Sequence, residues 1–223
     1  MTPVPEQPKI YHITHLRNLP QIVEAGVLWS DAKRIELGFD CDVVGMPHIK
    51  MRRLHEIKVA CHPGTFVGHY VPFYFCPRSI MLYILHRGND MDLNYSEGQQ
   101  PIVHLEADLR RVAEWADSQQ RSWAYSLQNA GARYARFHTG LDDLRLVNWD
   151  AVRATDFRVR AIKEAKQAEF LVHERFPWEL IETIGVHNDM ARQAVTEAIS
   201  GAKHQPNVVV KSNWYYLGER LRG

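Results

Sequence analysis

The sequence predicts an α+β fold. Short strand patterns and short helix patterns alternate irregularly along the chain, and few of the helical ones run long. Neither Gly-x-Gly-x-x-Gly nor a P-loop sequence is present, which disfavours the doubly wound parallel sheets of the common nucleotide folds. No internal repeat or low-complexity block interrupts the 223 residues. The chain therefore reads as one domain over residues 1–223, with enough length for a sizeable core.

The elements follow in order. Residues 1–8 are proline-rich and read as an extended lead-in, and Lys9 to Thr14 is a strand. Asn18 to Ala25 spaces Leu19, Ile22 and Val23 along one helical face, with Gly26 as its stop. Val27-Leu28-Trp29 is a short buried strand, and Ser30 caps a helix from Asp31 to Leu37 that Gly38 ends. Between Gly38 and Gly68 no period holds, and so long an irregular stretch in a compact domain is usually functional or mobile. Val71 to Cys76 is an aromatic strand bounded by prolines, followed by a helix from Ser79 to His86 and a loop to Gly98. Pro101 to Leu105 is a strand and Asp108 to Ala116 a helix. Arg121 to Phe137 reads as helix, with Trp123, Tyr125, Leu127 and Tyr134 among polar residues. Leu141 to Trp149 is a linker, and a short helix then reaches Ala154. After the polar, basic residues 155–168 come a strand from Glu169 to His173 and a turn at Trp178 to Ile181. Strands at Ile184–Val186 and Val208–Val210 flank a helix from Asp189 to Ser200, and Trp214-Tyr215-Tyr216 closes the fold.

Hydrophobic residues make up 45% of the chain and the net charge is +1, so bulk charge points to no partner. Local charge is less even. Lys50, Arg52, Arg53 and Lys58 cluster with His48 and His55, and a second group runs through Arg153, Arg158, Arg160, Lys163 and Lys166. Each is either a solvated surface or a local site for a polyanion. Three cysteines, Cys41, Cys61 and Cys76, are too few and too odd for a disulfide framework and suit a reducing compartment. No signal pattern opens the chain, and no apolar run approaches the roughly 18 residues of a membrane span. The expectation is a cytoplasmic protein with no membrane partner.

Three segments carry chemistry. In Lys166-Gln167-Ala168-Glu169-Phe170-Leu171-Val172 an amide and a carboxylate stand two apart. On an extended strand they share a face, with Phe170 and Val172 turned the other way. A carboxylate can hold a sugar hydroxyl or stabilise positive charge on a sugar ring, and an amide can orient an incoming partner. His12 and Thr14 likewise share a strand face. They suit a ribose or a carboxamide, or equally a half-buried histidine bonded to backbone. In Phe73-Tyr74-Phe75-Cys76-Pro77-Arg78-Ser79, Tyr74 and Cys76 share one face, while Phe73 and Phe75 read as core. Cys61, His62, His69 and Cys76 match no zinc spacing. No Gly-x-Ser-x-Gly supports a serine nucleophile. Paired-carboxylate chemistry would need a second acid, and Glu174 and Asp143 are undistinguished.

His12, Tyr74 and Glu169, in that order, resemble the His, Tyr and Glu signature of the ADP-ribosyltransferase superfamily, and Gln167-x-Glu169 resembles the motif of its substrate-presenting loop. The likeness narrows to DarT-type DNA ADP-ribosyltransferase toxins. It rests on Pro8-Lys9-Ile10-Tyr11-His12-Ile13-Thr14-His15-Leu16, on Ile49-Lys50-x-Arg52-Arg53, on Tyr70 to Ser79 and on Lys166 to Phe170. These blocks spread over about residues 8 to 186.

The resemblance implies an ADP-ribosyltransferase-like fold, a central mixed or antiparallel sheet with surrounding helices. It implies NAD as co-substrate, no metal, transfer of ADP-ribose to a base in single-stranded DNA, and a macrodomain antitoxin that removes the mark. Thymidine is the expected base. Guanosine, RNA or protein as acceptor, or a non-catalytic nucleic-acid-binding domain, are the alternatives. Glu169 should be catalytic, assisted by Arg53 in preference to Arg52. His12, Thr14, Asn18, Tyr74, Ser79 and Met81 should line the NAD pocket, with Tyr83 stacking on nicotinamide. Gln167, Lys166, Arg160, Arg158 and Tyr134 should meet the DNA.

Overall fold

The computed structural model describes residues 2–42 and 44–218. Met1 and residues 219–223, the ends of the predicted domain, lie outside the described residues. In chain order the elements are β1 (Lys9–His15), α1 (Leu19–Ala25), β2 (Val27–Trp29), α2 (Asp31–Glu36), α3 (Pro47–His55), β3 (Tyr70–Tyr74), α4 (Ile80–Arg87), β4 (Ile102–Asp108) and α5 (Leu109–Ser118). They continue as β5 (Trp123–Ser126), β6 (Phe137–His138), α6 (Trp149–Arg153), α7 (Arg160–Ala165), β7 (Glu169–His173), β8 (Arg175–Pro177), β9 (Thr183–Val186), α8 (Asp189–Ala198) and β10 (Asn207–Val210). The predicted caps are in place: the Ser30 hydroxyl accepts from Lys33 N–H, and Gly26 ends α1 in the left-handed region.

One mixed sheet of eight strands runs β10-β9-β4-β1-β3-β7-β5-β6, and β2 and β8 form a separate ribbon. Among the described strands only the β9–β10 pair is parallel. The α+β expectation holds, because the chain builds its sheet from antiparallel neighbours and lays short helices around it.

The sheet is not uniformly joined. β1 and β4 are registered from Lys9 opposite Asp108 to His15 opposite Ile102, and β3 and β7 from Tyr70 opposite His173 to Tyr74 opposite Glu169. Between β1 and β3 a single pair is registered, Tyr11 opposite Tyr74. The sheet therefore splits there into two halves. Part of the join is made by a side chain, since the His12 ring Nδ1 bonds the Pro72 carbonyl at 2.8 Å. Pro72 itself has no N–H to give a ladder.

The main core packs Phe73, Phe170 and Val172 with Trp123, Tyr125 and Phe176, and extends to Leu105, Ile184 and Val112. A smaller cluster beside it holds Ile57, Val59, Val67, Tyr70 and Leu171.

Four expectations need correction. Residues 121–137 are not helix: Trp123–Ser126 is β5, Phe137–His138 is β6, and a turn joins them. All four residues of β5 are buried, because β7 and β6 flank it and Trp123 stacks on Phe170 at 5.4 Å. A strand buried on both faces shows no alternation. The supposedly irregular stretch 38–68 contains α3, which starts at Pro47 and buries only Leu54, so its polar residues hide the period. Within the basic stretch 155–168 lies α7. Finally, β3 ends at Tyr74, so Cys76 does not share its face and instead meets Lys166, its Sγ 3.4 Å from Nζ.

Helix α3 lies directly on the tight turn at residues 67–69. A Cβ on Gly68 would stand 2.7 Å from Leu54 Cδ2 and 2.8 Å from Leu54 Cα. Backbone that close leaves no space to yield, so Gly68 sets how deeply α3 sits. Gly68→Ala should push α3 outward at a cost of about 1–3 kcal/mol. Urea unfolding checks this, and an unchanged midpoint would show that α3 is not seated by this contact.

Candidate active site

A cavity of 260 Å³ lies along the split in the sheet. His12 and Thr14 line it from β1, Tyr74 from β3, Arg53 from α3, Met81 from α4 and Glu169 from β7. Tyr74 and Glu169 are directly opposed in register, so both side chains leave the same face.

Glu169 is 2% exposed and opens β7, its own N–H bonded to the Ser126 hydroxyl at 3.1 Å. Its carboxylate meets the Arg53 guanidinium end-on. Nη1 donates to Oε1 at 3.1 Å and Nη2 to Oε2 at 2.9 Å. The Ala130 backbone N–H gives Oε1 a further bond at 3.0 Å. Oε2 thus keeps a lone pair for a substrate hydroxyl. Burial alone would lower the Arg53 pKa, but the Glu169 charge outweighs it and the net direction is up. Arg53 is therefore a permanent cation.

Arg52, one residue earlier on α3, points elsewhere and donates to the Gly131 carbonyl at 2.9 Å. Of the two arginines, only Arg53 reaches Glu169.

The other polar groups of the cavity are in defined states. A carbonyl can only accept, so His12 Nδ1 carries the proton toward Pro72 and Nε2 is left as an acceptor. Burial pushes the His12 pKa down, so the ring is neutral at neutral pH. Burial, with the charge of Glu169, pushes the Tyr74 phenol up, which keeps it a donor. Asn18 Nδ2 donates to Thr14 Oγ1 at 3.0 Å and to the Asp42 carbonyl at 3.0 Å, while its Oδ1 accepts from Asp42 N–H at 2.9 Å. It thereby pins the loop after α2 to β1.

Two residues of the cavity, Asp31 and Trp29, carried no functional signal in the sequence. Asp31 bonds Lys50 at 3.0 Å, and its carboxyl is held below the usual range by that lysine against the cost of burial. The Trp29 indole N–H is buried and has no hydrogen-bond partner among the described residues.

Ser79 and Tyr83 do not line the cavity. The Ser79 hydroxyl is wholly buried and accepts from Leu82 N–H at 3.1 Å as the cap of α4. On that helix Ile80, Met81 and Ile84 face the cavity, whereas Tyr83 packs on Phe157 and Tyr216, each at 5.1 Å.

A second cavity of 380 Å³ adjoins the first, and Ile49, Asn129 and Gln167 line both. Arg52, Arg160, Lys163, Glu164 and Tyr134 also line it, so it is a groove of three cations against one acid, with Arg160 ion-paired to Glu164 at 2.7 Å, beside one exposed aromatic ring. Two predicted DNA-contacting residues are not part of it. Lys166 is buried, and its Nζ donates to the Val152 carbonyl at 2.8 Å. Arg158 lies in solvent, ion-paired with Asp156 at 2.6 Å. Among the described residues no group of histidine, cysteine and acidic side chains is placed to hold a metal ion.

The family model described as "ssDNA thymidine ADP-ribosyltransferase, DarT" matches residues 11–216. A DNA ADP-ribosyl transferase of Thermus aquaticus is 38% identical over 210 residues, 93% of this chain and 88% of that protein. The fold is similar to that of Thermus sp. 2.9 DarT in complex with ADP-ribosylated ssDNA, at a TM-score of 0.86 and 33% identity over 96% of this chain and 99% of that one. It is also similar to the same protein in complex with NAD+, at a TM-score of 0.82 and 31% identity over 96% and 100% of the two chains.

The Arg53–Glu169 pair also carries stability. Truncating one partner of a buried ion pair strands the other, at a cost of roughly 3–5 kcal/mol. Arg53→Met should lose about that much, and adding Glu169→Leu should recover most of it. A double-mutant cycle by chemical denaturation checks this, and additive losses would show that the pair is not coupled.

Proposed function

This chain belongs to the DarT family of ssDNA thymidine ADP-ribosyltransferases, and we propose that it transfers ADP-ribose from NAD to thymidine in single-stranded DNA, with Glu169 as its catalytic residue. The observation that carries the reading is the placement of Glu169. It is a buried carboxylate held by Arg53 and the Ala130 N–H, at the end of a cavity that continues past Gln167 into a basic groove.

The first cavity takes NAD. The neutral His12 offers Nε2 to a ribose hydroxyl, and Thr14 and Tyr74 add hydroxyl donors. Glu169 Oε2 accepts the 2′-hydroxyl of the nicotinamide ribose. When the bond from C1′ to the nicotinamide nitrogen breaks, its electron pair leaves with nicotinamide and the ribose becomes oxocarbenium-like. The Glu169 charge stabilises that cation in a site shielded from water. Arg53 holds the carboxylate in place so that it does not collapse onto C1′.

The thymine N3 then bonds C1′ and gives up its proton, which passes to Glu169, whose charge is no longer needed. Arg53, always protonated, is not the base. Its remaining N–H groups polarise a thymine carbonyl. N3 is hidden in a duplex by pairing, which single-stranded substrate avoids. Arg52, Arg160 and Lys163 hold the DNA backbone in the groove, and Tyr134 offers a surface on which a base stacks.

The whole chain acts as one domain, consistent with a single sheet that draws strands from Lys9 to Val210. No helix among the described residues is long and apolar enough to cross a membrane, and the three cysteines are free. Both features suit the cytoplasm, where the substrate is found. A macrodomain that removes the mark is the expected partner.

Mass spectrometry of a mixed-sequence single-stranded oligonucleotide, incubated with the protein and NAD, tests this reading. The expected result is a gain of one ADP-ribose on thymidine. A gain on guanosine, or labelling of RNA or protein alone, would overturn the acceptor. No gain and no NAD binding would overturn the transferase reading itself.

A further inference from the structure

The turn after β5 links three parts of the site. Its Ala130 N–H holds Glu169, and its Gly131 carbonyl is held by Arg52. The preceding residue, Asn129, touches Gln167 where the two cavities meet, since Asn129 and Gln167 line both.

The polarity of this contact is set by groups that have no choice of role. The Gly131 backbone N–H can only donate, and it lies 2.7 Å from Asn129 Oδ1. That end of the Asn129 amide must therefore be oxygen, and the NH2 end faces Gln167. Asn129 Nδ2 donates to Gln167 Oε1 at 3.0 Å. On the other side the Lys163 carbonyl can only accept, and it takes a hydrogen from Gln167 Nε2 at 3.1 Å. Two backbone groups thus lock two side-chain amides in series. The oxygen of Gln167 is engaged, and its second Nε2 hydrogen is left to offer at the opening.

A free glutamine amide turns over at little cost and matches either a carbonyl or an amino group. A locked amide matches one. Thymine carries carbonyls on both sides of N3, whereas cytosine carries an amino group on one side. Resting on the transferase reading above, we propose that Asn129 is a positioning residue that keeps the Gln167 amide donor-outward. It thereby selects an acceptor base with a carbonyl beside the reacting nitrogen.

The test compares two single-stranded oligonucleotides that differ only in the target base, thymidine or deoxycytidine, with NAD saturating. The readout is the ratio of kcat/KM for the two. Asn129→Asp keeps the bond from Gly131 but sets an oxygen against Gln167 Oε1, which turns the amide over. Asn129→Ala removes the bond to Gln167 Oε1 and leaves the Lys163 carbonyl as the one remaining hold on that amide. Both should lower the thymidine-to-cytidine ratio by about fivefold, the worth of one hydrogen bond. Gln167→Glu, which removes the donor, should lower it as well. If both Asn129 variants lose rate on the two bases in parallel, with the ratio unchanged, Asn129 is only a structural prop and the inference is overturned. If the unaltered protein modifies neither oligonucleotide, the transferase reading falls and this inference falls with it.

Discussion

The bidentate pair between Arg53 and Glu169 joins residues 116 apart in sequence and brings α3 to the start of β7. A carboxylate buried this deeply is costly unless its charge and lone pairs are met. Arg53 meets the charge, and the Ala130 N–H meets one further lone pair. The constraint then spreads outward. Arg53 reaches Glu169 only if α3 lies close to the sheet, which is why Gly68 rather than a larger residue stands under Leu54. Ala130 reaches it only if the chain leaving β5 turns tightly, which the Asn129 side chain and Arg52 secure. A chemically useful charge has been placed where water does not screen it, and much of the local packing holds it there.

The split between β1 and β3 is the complementary feature. A continuous sheet would leave no space between two central strands. Here a single registered pair and the His12 bond to Pro72 replace a full ladder. The gap gives the cavity two walls of different character. One presents neutral hydrogen-bonding groups, His12 and Thr14, and the other presents the Tyr74, Arg53 and Glu169 cluster. A dinucleotide can be gripped by the first wall while the second acts on the sugar. The groove beyond Gln167 is basic, which suits a polyanion that approaches from outside.

Much of the site was legible in the sequence where short-range periodicity decides direction. His12 with Thr14 follows from the two-residue repeat of a strand, whereas Gln167 stands in the turn before β7 and reaches the cavity beside Glu169 without sharing its strand. The choice between Arg52 and Arg53 did not follow from spacing. Adjacent helical residues point about 100° apart, and the reference direction comes from Leu54 packing on Gly68, a contact between distant segments. Tyr83 was misplaced for a related reason, because Met81 and Ile84 on α4 take the cavity side and turn Tyr83 toward Phe157 and Tyr216. Ser79 spends its hydroxyl on its own helix. Lys166 belongs to a basic run by sequence, yet its position beside Glu169 carries it into the core against Val152 and Cys76. The turn at Asn129 to Gly131 was hidden because β5 is buried on both faces and resembles helix in its pattern. What was missed is what depends on packing between segments, and the residues that position Glu169 are of that kind.

The most direct test of the central claim separates binding from chemistry at Glu169. Glu169→Gln keeps the shape of the side chain and removes the charge. NAD affinity by calorimetry and single-turnover transfer to a thymidine oligonucleotide would be measured on the same preparation. The account predicts affinity within about tenfold of the parent and a transfer rate lower by about a thousandfold, as expected when a charge acts mainly on the transition state. Equal losses in affinity and rate would contradict it and make Glu169 a structural residue.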